Sequence, residues 1–443
     1  MRYGIDFGTT RTVVACADRG NYPVVPVFDA GGDAHHYMPS LVALVDGELR
    51  TGWDAVGIPG VRRSIKRMLA DPRVTAETPV SFGDESRPLC DVLAAMASDA
   101  LVGLDDPEIV LGVPANSSSA QRLLTLDAFT RAGANVVGLV NEPSAAAFEY
   151  THGYGRTFNS KRNSIIVYDL GGGTFDATYL RIDNGHHEVI DSSGISLLGG
   201  DDFDLVLASL ADVTVDEARV AKEAIKPQSR RVMIEHDDGV VTIPVADYYE
   251  AAKPLVARSL EAVDKLATGD DVAGIYLVGG ATSLPLIPRQ LKERFGRRVH
   301  RSPLPTASTA VGLAIAADPD SGYTLAERTT RGIGVFRENE GGSQISFDTL
   351  LEPGVGEVTR TYHAAHNVGW FRYVEYGEGE DIRPVVEVVV PFQAGIDDPR
   401  NEPVHRVDNG PLVEETAWID ESGIARVRIT VASLGVVVEA TAR

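Results

Sequence analysis

Cysteine is nearly missing: Cys16 and Cys90 are the only two in 443 residues. That excludes a disulfide framework and a thiolate metal site, and a reducing compartment is expected. Long apolar runs are missing too, and none approaches the roughly 20 residues of a membrane-spanning helix. A first strand is expected from Tyr3, with no room before it for a signal peptide, so the expected location is cytoplasmic. Positive charge is scarce, with 41 Lys and Arg against 63 Asp and Glu for a formal charge of −22. Nucleic acids and anionic membranes both require a positive surface, so neither is an expected partner. Two nucleotide-binding signatures are also lacking. There is no G-x-x-x-x-G-K-[ST], and no G-x-G-x-x-G follows a strand. Any nucleotide site is therefore neither of the P-loop nor of the Rossmann kind.

What is present is a chain longer than one ordinary core, so two or three domains are expected. Up to about residue 318, strands and helices alternate by pattern. Tyr3-Gly4-Ile5 leads into "DFGTTRT", and Thr12-Val13-Val14-Ala15 reads as the returning strand of a hairpin. Leu89, Val92, Leu93, Met96, Ala97, Ala100 and Leu101 fall on one helical face. Strand–helix–strand order across Ile109–Leu111 and Val136–Val140 implies parallel pairing through a right-handed crossover. Glu142-Pro143 open an alanine-rich helix, and Gly296 stops another. Beyond "ADPDSGYTLAERTT" the helical period fades. "IARVRITVA" alternates instead, with Ala425, Val427, Ile429 and Val431 on one side and Arg426, Arg428 and Thr430 on the other. Such runs, separated by Gly/Pro/Asn clusters, read as a small antiparallel β domain.

The chemistry concentrates in two stretches, "YGIDFGTT" at residues 3–10 and "VYDLGGGT" at residues 167–174. Each runs apolar strand, aspartate, apolar residue, glycine, threonine, and then a second strand, as an internally duplicated fold would have. Glycines let consecutive backbone N–H groups point into one concavity, which suits an anion. Asp6 and Asp169 at the strand ends would repel phosphate unless a divalent cation lies between, and magnesium fits such a site. Two facing loops could therefore clamp a polyphosphate–metal complex.

These loops, with "MPSLVAL", "SIKRML", "VPANSSSAQR", "NEPSAAAFEY", "SLLGGDDFD" and "GIYLVGGATSLP", resemble the heat-shock protein 70 (DnaK-type) chaperones of the actin-like ATPase superfamily. The motifs stand in family order from Gly4 to about Ala316, and "WIDESGIARVRITVA" is similar to the family's last substrate-domain strands. The resemblance implies an α/β actin-like ATPase with duplicated ribonuclease H-like lobes over 1–320, a linker over 321–333, and an antiparallel β-sandwich without a helical lid over 334–443. It also assigns roles. Asp6, Asp169 and Asp176 would hold magnesium, largely through water, and a monovalent cation such as potassium. Gly8, Thr9, Thr10, Gly171, Gly172, Gly173 and Thr174 would wrap the phosphates of ATP or ADP. Lys66 would orient the γ-phosphate and attacking water, assisted by Glu142, beside Asp169 and Thr174. Gly199 and Gly200 would form a second phosphate-side turn. Gly279 and Gly280 would face the adenosine, with Lys226 and Ser229 at the base. Pro114 and Arg122 match residues that relay nucleotide state. Read without the resemblance, Lys66 is an ordinary helix lysine and Glu142 a first-turn acid.

Departures are equally specific. Lys222 and Ile225 replace the family's adenine-clamping Glu and Lys, Lys226 stands where an arginine stacks on the base, and Ser283 replaces its partner arginine. Lysine does not stack as arginine does. The short segment from Phe203 to Ala221 implies a trimmed cover on the cleft, with faster exchange. "SGYTLAERTT" stands in place of the leucine-rich linker. Leu350, Leu351, Trp370 and Phe371 are candidates for an apolar peptide cleft, with core packing the plainer reading. His35, His36, His186, His187, His363 and His366 lack companion ligands at metal spacing and are expected on exposed loops or strands.

The expected function is that of an ATP-hydrolysing chaperone regulating the binding of unfolded or extended polypeptide, with a J-domain co-chaperone and a nucleotide-exchange factor as family-type partners. The alternative is a nucleotide-dependent interaction or scaffold module with slow or uncoupled hydrolysis. A small-molecule kinase of the same fold would need a dedicated acceptor site, and the "NEPSAAA" and "SIKRML" matches count against it.

Overall fold

The computed structural model describes residues 1–154, 163–236, 239–266, 272–327, 329–339, 344–377 and 381–441. It divides into two compact units. The first comprises Met1–Asp71, Glu77–Asn116 and Leu126–Glu327, and the second Pro72–Ala76, Ser117–Thr125 and Arg328–Arg443.

The first unit is built twice on one plan. Strands Arg2–Phe7 and Arg11–Cys16 form an antiparallel hairpin, to which Glu108–Val113 and then Asn135–Asn141 add in parallel. In the second sheet Ser164–Leu170 and Phe175–Asp183 form the hairpin, and Val272–Val278 and Val299–Arg301 add in parallel. Buried Ile5, Phe7, Val13 and Val14, and likewise Ile165, Ile166 and Val167, make these strands apolar on both faces, as sheets sandwiched between helices require.

The helices are α1 (Leu89–Ala100), α2 (Ser119–Arg131), α3 (Glu142–Tyr154), α4 (Gly200–Ala211), α5 (Val215–Glu223), α6 (Val245–Leu266), α7 (Leu286–Phe295) and α8 (Ser308–Ala317). Several ends are dictated locally. The Gly199 N–H donates to Asp202 Oδ2 at 2.8 Å, starting α4. Thr214 and Glu217 cap α5 reciprocally, and Gly296, at φ 66°, ends α7. α3 and α8 pack so closely that a side chain at Gly312 would run into the Ala145 carbonyl.

Two expectations change in this unit. The stretch read as a polar connection carries a strand, Thr324–Ala326, paired in parallel with His186–Glu188, and its Leu325 packs against the core. Arg328, within the expected linker, lies outside the described residues. His187, expected to be exposed, is fully buried. Phe148 of α3 stacks on its ring at 4.6 Å and Tyr323 meets it edge-on at 5.9 Å. The added edge strand covers a face that alternation alone leaves open.

The second unit contains two four-stranded antiparallel sheets. One has the order 344–351, 332–339, 368–376, 382–391, and the other 357–363, 412–419, 425–431, 436–441. Ile333, Val335, Tyr373 and Val390 of one sheet and Val413, Ala417, Val427 and Ile429 of the other share a single core. In 425–431 the expected apolar side is the buried one. Leu350, Leu351 and Phe371 belong to this core, whereas Trp370 is exposed with the Arg400 guanidinium 5.8 Å from its ring. One polar set in the core is satisfied internally: Glu415, 1% exposed, accepts from Tyr373 at 2.7 Å and pairs with Arg337 at 2.9 Å. Ser119 also belongs to this unit. Its N–H donates to Glu375 at 2.9 Å, and its hydroxyl accepts from the Ala425 N–H at 2.6 Å.

Candidate nucleotide site

The two glycine loops close by the same backbone bond. Gly8 N–H donates to the Arg11 carbonyl at 3.1 Å, and Gly171 N–H to the Thr174 carbonyl at 3.0 Å. The loops face one another. A Cβ on Gly172 would meet Thr10 Oγ1 at 2.7 Å, and one on Gly173 would meet Thr9 Oγ1 at 3.0 Å. Thr9, Thr10, Gly171, Gly172, Gly173 and Thr174 therefore line one narrow space, and Ser40 steadies the first loop by donating to the Gly8 carbonyl at 2.8 Å.

Gly199 and Gly200 dock on the second loop. Gly200 N–H donates to Gly171 O at 2.9 Å and Asp201 N–H to Gly172 O at 2.8 Å. Gly199 has an extended backbone that any residue adopts, so its constraint is space: a Cβ there would lie 2.5 Å from Gly172 and Gly173 backbone atoms. Gly279 needs both space and a positive φ of 85°, and a Cβ would lie 2.5 Å from Asp169 Oδ1. The turn made by Gly279 and Gly280 thus abuts the end of the second phosphate strand.

Buried acids gather behind the loops. Asp169 and Asp176 are cross-strand partners in the second hairpin. Burial, and then the nearby Glu142 carboxylate, pushes Asp6 and Asp176 each up to about 7, while Lys66 pulls both down. Asp169 is pushed well above the usual carboxylate range by burial first, then by Glu142, Asp6 and Asp176. The Lys66 ammonium, buried, donates to Glu142 Oε1, which is partly buried, at 3.1 Å, and lies 5.8 Å from the Phe7 ring centre. Such crowding of acids at the ends of backbone-lined loops suits a hard cation. Among the described residues no three potential ligands converge closely enough to bind one ion directly. The donor set is compatible with magnesium, whose waters Asp6, Asp169 and Asp176 could hold.

Several residues unseen in the sequence reading close the site. Ser64 donates to Asp201 Oδ2 at 2.6 Å, Arg67 pairs with Asp202 at 3.2 Å, Arg63 with Asp216 at 2.7 Å, and Arg11 with Glu223 at 2.7 Å. These join segments more than 100 residues apart, which no local pattern signals. Lys222 is engaged within the protein. It is buried, pairs with Asp204 at 2.5 Å and donates to the Gly200 carbonyl at 2.9 Å. Lys226 lines a cleft of about 750 Å³ with Ile225, Ser283 and Arg301. The Ser229 hydroxyl accepts from the Lys226 N–H at 3.0 Å, holding that turn.

Comparison with known proteins agrees with this architecture. The family model described as Hsp70 protein matches residues 87–235. Chaperone protein HscA of Xenorhabdus nematophila is 32% identical over 374 residues, spanning 73% of this chain and 59% of the relative. Chaperone protein HscA of Shigella boydii serotype 18 and of Escherichia fergusonii are each 34% identical over 376 residues, with the same coverage. The chain thus spans about three fifths of the length of these relatives. No described helix is long and apolar enough to cross a membrane. The duplicated lobes and the two facing Asp–Gly–Thr loops accord with this similarity to the Hsp70 family.

Proposed function

We propose that the chain is an ATP-hydrolysing molecular chaperone whose nucleotide unit regulates polypeptide binding by its β-sandwich. The observation that carries this reading is the pair of facing loops backed by buried acids and the Lys66–Glu142 pair. Phosphoryl transfer to water needs positioning and charge neutralisation more than covalent help. Backbone N–H groups of the two loops and the hydroxyls of Thr9, Thr10 and Thr174 hold the phosphates. Lys66 orients the γ-phosphate and the attacking water, and Glu142 holds the Lys66 ammonium in place. A bound magnesium would supply neutralisation of phosphate charge, with Asp6, Asp169 and Asp176 holding its waters. A monovalent ion such as potassium, a J-domain co-chaperone and an exchange factor belong to the same reading. So does an extended polypeptide as client.

The second reading is a nucleotide-dependent binding module with slow or uncoupled hydrolysis. It is favoured by Thr324–Ala326, which lies in a sheet where a free linker was expected. ADP production with MgATP, with and without an unfolded apolar peptide, separates the two. Peptide stimulation that disappears in Lys66→Ala and Asp169→Asn supports the chaperone. Hydrolysis indifferent to peptide supports the module, and no hydrolysis in the wild type overturns the ATPase assignment.

A further inference from the structure

The pair His186-His187 takes no part in the nucleotide site, and it lies where the edge strand Thr324–Ala326 joins the second sheet. His187 is fully buried, yet neither of its ring nitrogens has a hydrogen-bond partner among the described residues. A buried polar group without a partner costs free energy and is rare in folded chains. Its ring is shut in by Phe148 at 4.6 Å and by Tyr323 at 5.9 Å. Tyr323 immediately precedes the edge strand, so strand and cover leave together.

The strand itself is short. Beyond three residues of parallel pairing, the Thr324 N–H donates to the Gly185 carbonyl at 3.1 Å, Thr324 Oγ1 meets His186 Nδ1 at 2.8 Å, and Leu325 packs against the core. Of the titratable groups around His187, His186 adjoins it, Tyr323 covers it, and His152 of α3 has its ring 6.4 Å from that of Tyr323. The acids on the surrounding elements do not serve it. Glu188 pairs with Arg181 at 3.3 Å, Glu149 accepts from Tyr276 at 2.5 Å, and Asp318 accepts from Tyr22 at 2.9 Å. Asp183, cross-strand from His186, is exposed. With the strand seated, a proton on the His187 imidazole would meet neither an acceptor nor water, and the neighbouring His186 would oppose it.

We propose that His187 makes the seating of Thr324–Ala326 proton-sensitive: the strand seats over the neutral imidazole and is released when that ring takes up a proton from solvent. Protonation and seating exclude one another, which is how buried histidines act as switches. Burial holds the covered ring at about 4, and once released into water it returns to its ordinary 6.5. Seating is therefore independent of pH above 6.5 and weakens below it, by roughly thirtyfold at pH 5.0. The chain enters the second unit at Arg328, two residues beyond this strand, so release frees the segment that joins the units.

The test is amide hydrogen exchange of the full chain at pH 7.5, 6.0 and 5.0, read by mass spectrometry and corrected for the intrinsic pH dependence of exchange. Protection over Thr324–Ala326 should fall roughly twenty- to thirtyfold between pH 7.5 and 5.0, while that of Ser164–Leu170 holds and reports an intact core. His187→Phe keeps a ring against Phe148 and removes both nitrogens, so its protection should change less than about threefold over the same range. His186→Ala loses the bond to Thr324 and should lower protection at every pH while keeping the slope. A slope as steep in His187→Phe as in the wild type overturns the proposal, and so does wild-type protection that stays flat to pH 5.0. Loss of protection at Ser164–Leu170 in step with Thr324–Ala326 would make the change a global unfolding and overturns local release.

Discussion

Lys66 faces four carboxylates. It donates to Glu142 at 3.1 Å and pulls down the pKa values of Asp6, Asp169 and Asp176. Its side chain is 8% exposed and that of Glu142 12%. Removing one member of a buried pair leaves the other charge unsolvated and costs about 3–5 kcal/mol. Lys66→Met keeps the apolar stem and deletes only the ammonium, so nearly all of that cost should appear in urea unfolding of the nucleotide-free protein. Glu142→Gln should cost less, because the amide oxygen still accepts from Lys66 and three other acids remain near it. The double variant should be more stable than the sum of the two losses implies, by about 1–3 kcal/mol of coupling. Turnover should separate from stability. Lys66→Met should lower ATP hydrolysis by roughly two to three orders of magnitude, the usual effect of deleting one preorganised electrostatic group. The double variant should recover stability without recovering turnover. Losses that add to within about 0.5 kcal/mol would show that the pair is not coupled, and would refute the reasoning.

Gly199→Ala should disturb the docking of α4 on the second loop, since its Cβ would lie 2.5 Å from backbone atoms of Gly172 and Gly173; ADP affinity by calorimetry should fall at least tenfold, and a value equal to wild type would place that turn away from the phosphates. Arg67→Ala removes ion pairs to Asp202 at 3.2 Å and Asp201 at 3.5 Å; stopped-flow release of a fluorescent ADP analogue should quicken several-fold, and an unchanged rate would mean these pairs do not gate release. His187 is buried with neither ring nitrogen hydrogen-bonded, and burial, helped by His186, lowers it to about 4. Its folded pKa lies below the unfolded one, so the unfolded chain takes up the proton first. Stability should be flat above pH 6.5 and fall by about 3 kcal/mol as pH drops from 6.5 to 4. His187→Leu should remove that slope in urea midpoints measured at pH 7.5, 5.5 and 4.5, and an equal slope in both proteins would count against the assignment.

Much of the fold was legible because its determinants are local. The two hairpins announce themselves through apolar strands broken by Asp, Gly and Thr, and the Gly8 and Gly171 backbone bonds confirm that one turn is used twice. Gly296 ends α7 where its positive φ is needed. In the second unit, alternation alone located the buried side of 425–431. The strand Thr324–Ala326 was not legible in the same way. Three residues give no usable period, and the strand exists because His186–Glu188 offers an open edge 138 positions earlier. The error over His187 has the same origin, since its burial depends on Phe148, Tyr323 and that added edge.

The candidate site divides along the same line, and the division explains which part of it sequence reading assigns safely. The phosphate end is made of backbone. Its requirement is that no Cβ stand at positions 172, 173, 199 and 279, and glycine is the only residue that meets it, so the requirement is written directly into the sequence. The base end is made of side chains that arrive from separate segments, and there a missing residue can be supplied from elsewhere. Lys222, which stands where the resemblance places an adenine-clamping glutamate, is spent on Asp204 and the Gly200 carbonyl. Ser283, which looks like a loss, instead holds Arg301 from a strand 18 positions later. The phosphate end is therefore legible position by position, whereas the base end depends on which side chains from separate segments meet in space. Affinity for polyphosphate should accordingly respond to substitutions at the four glycines.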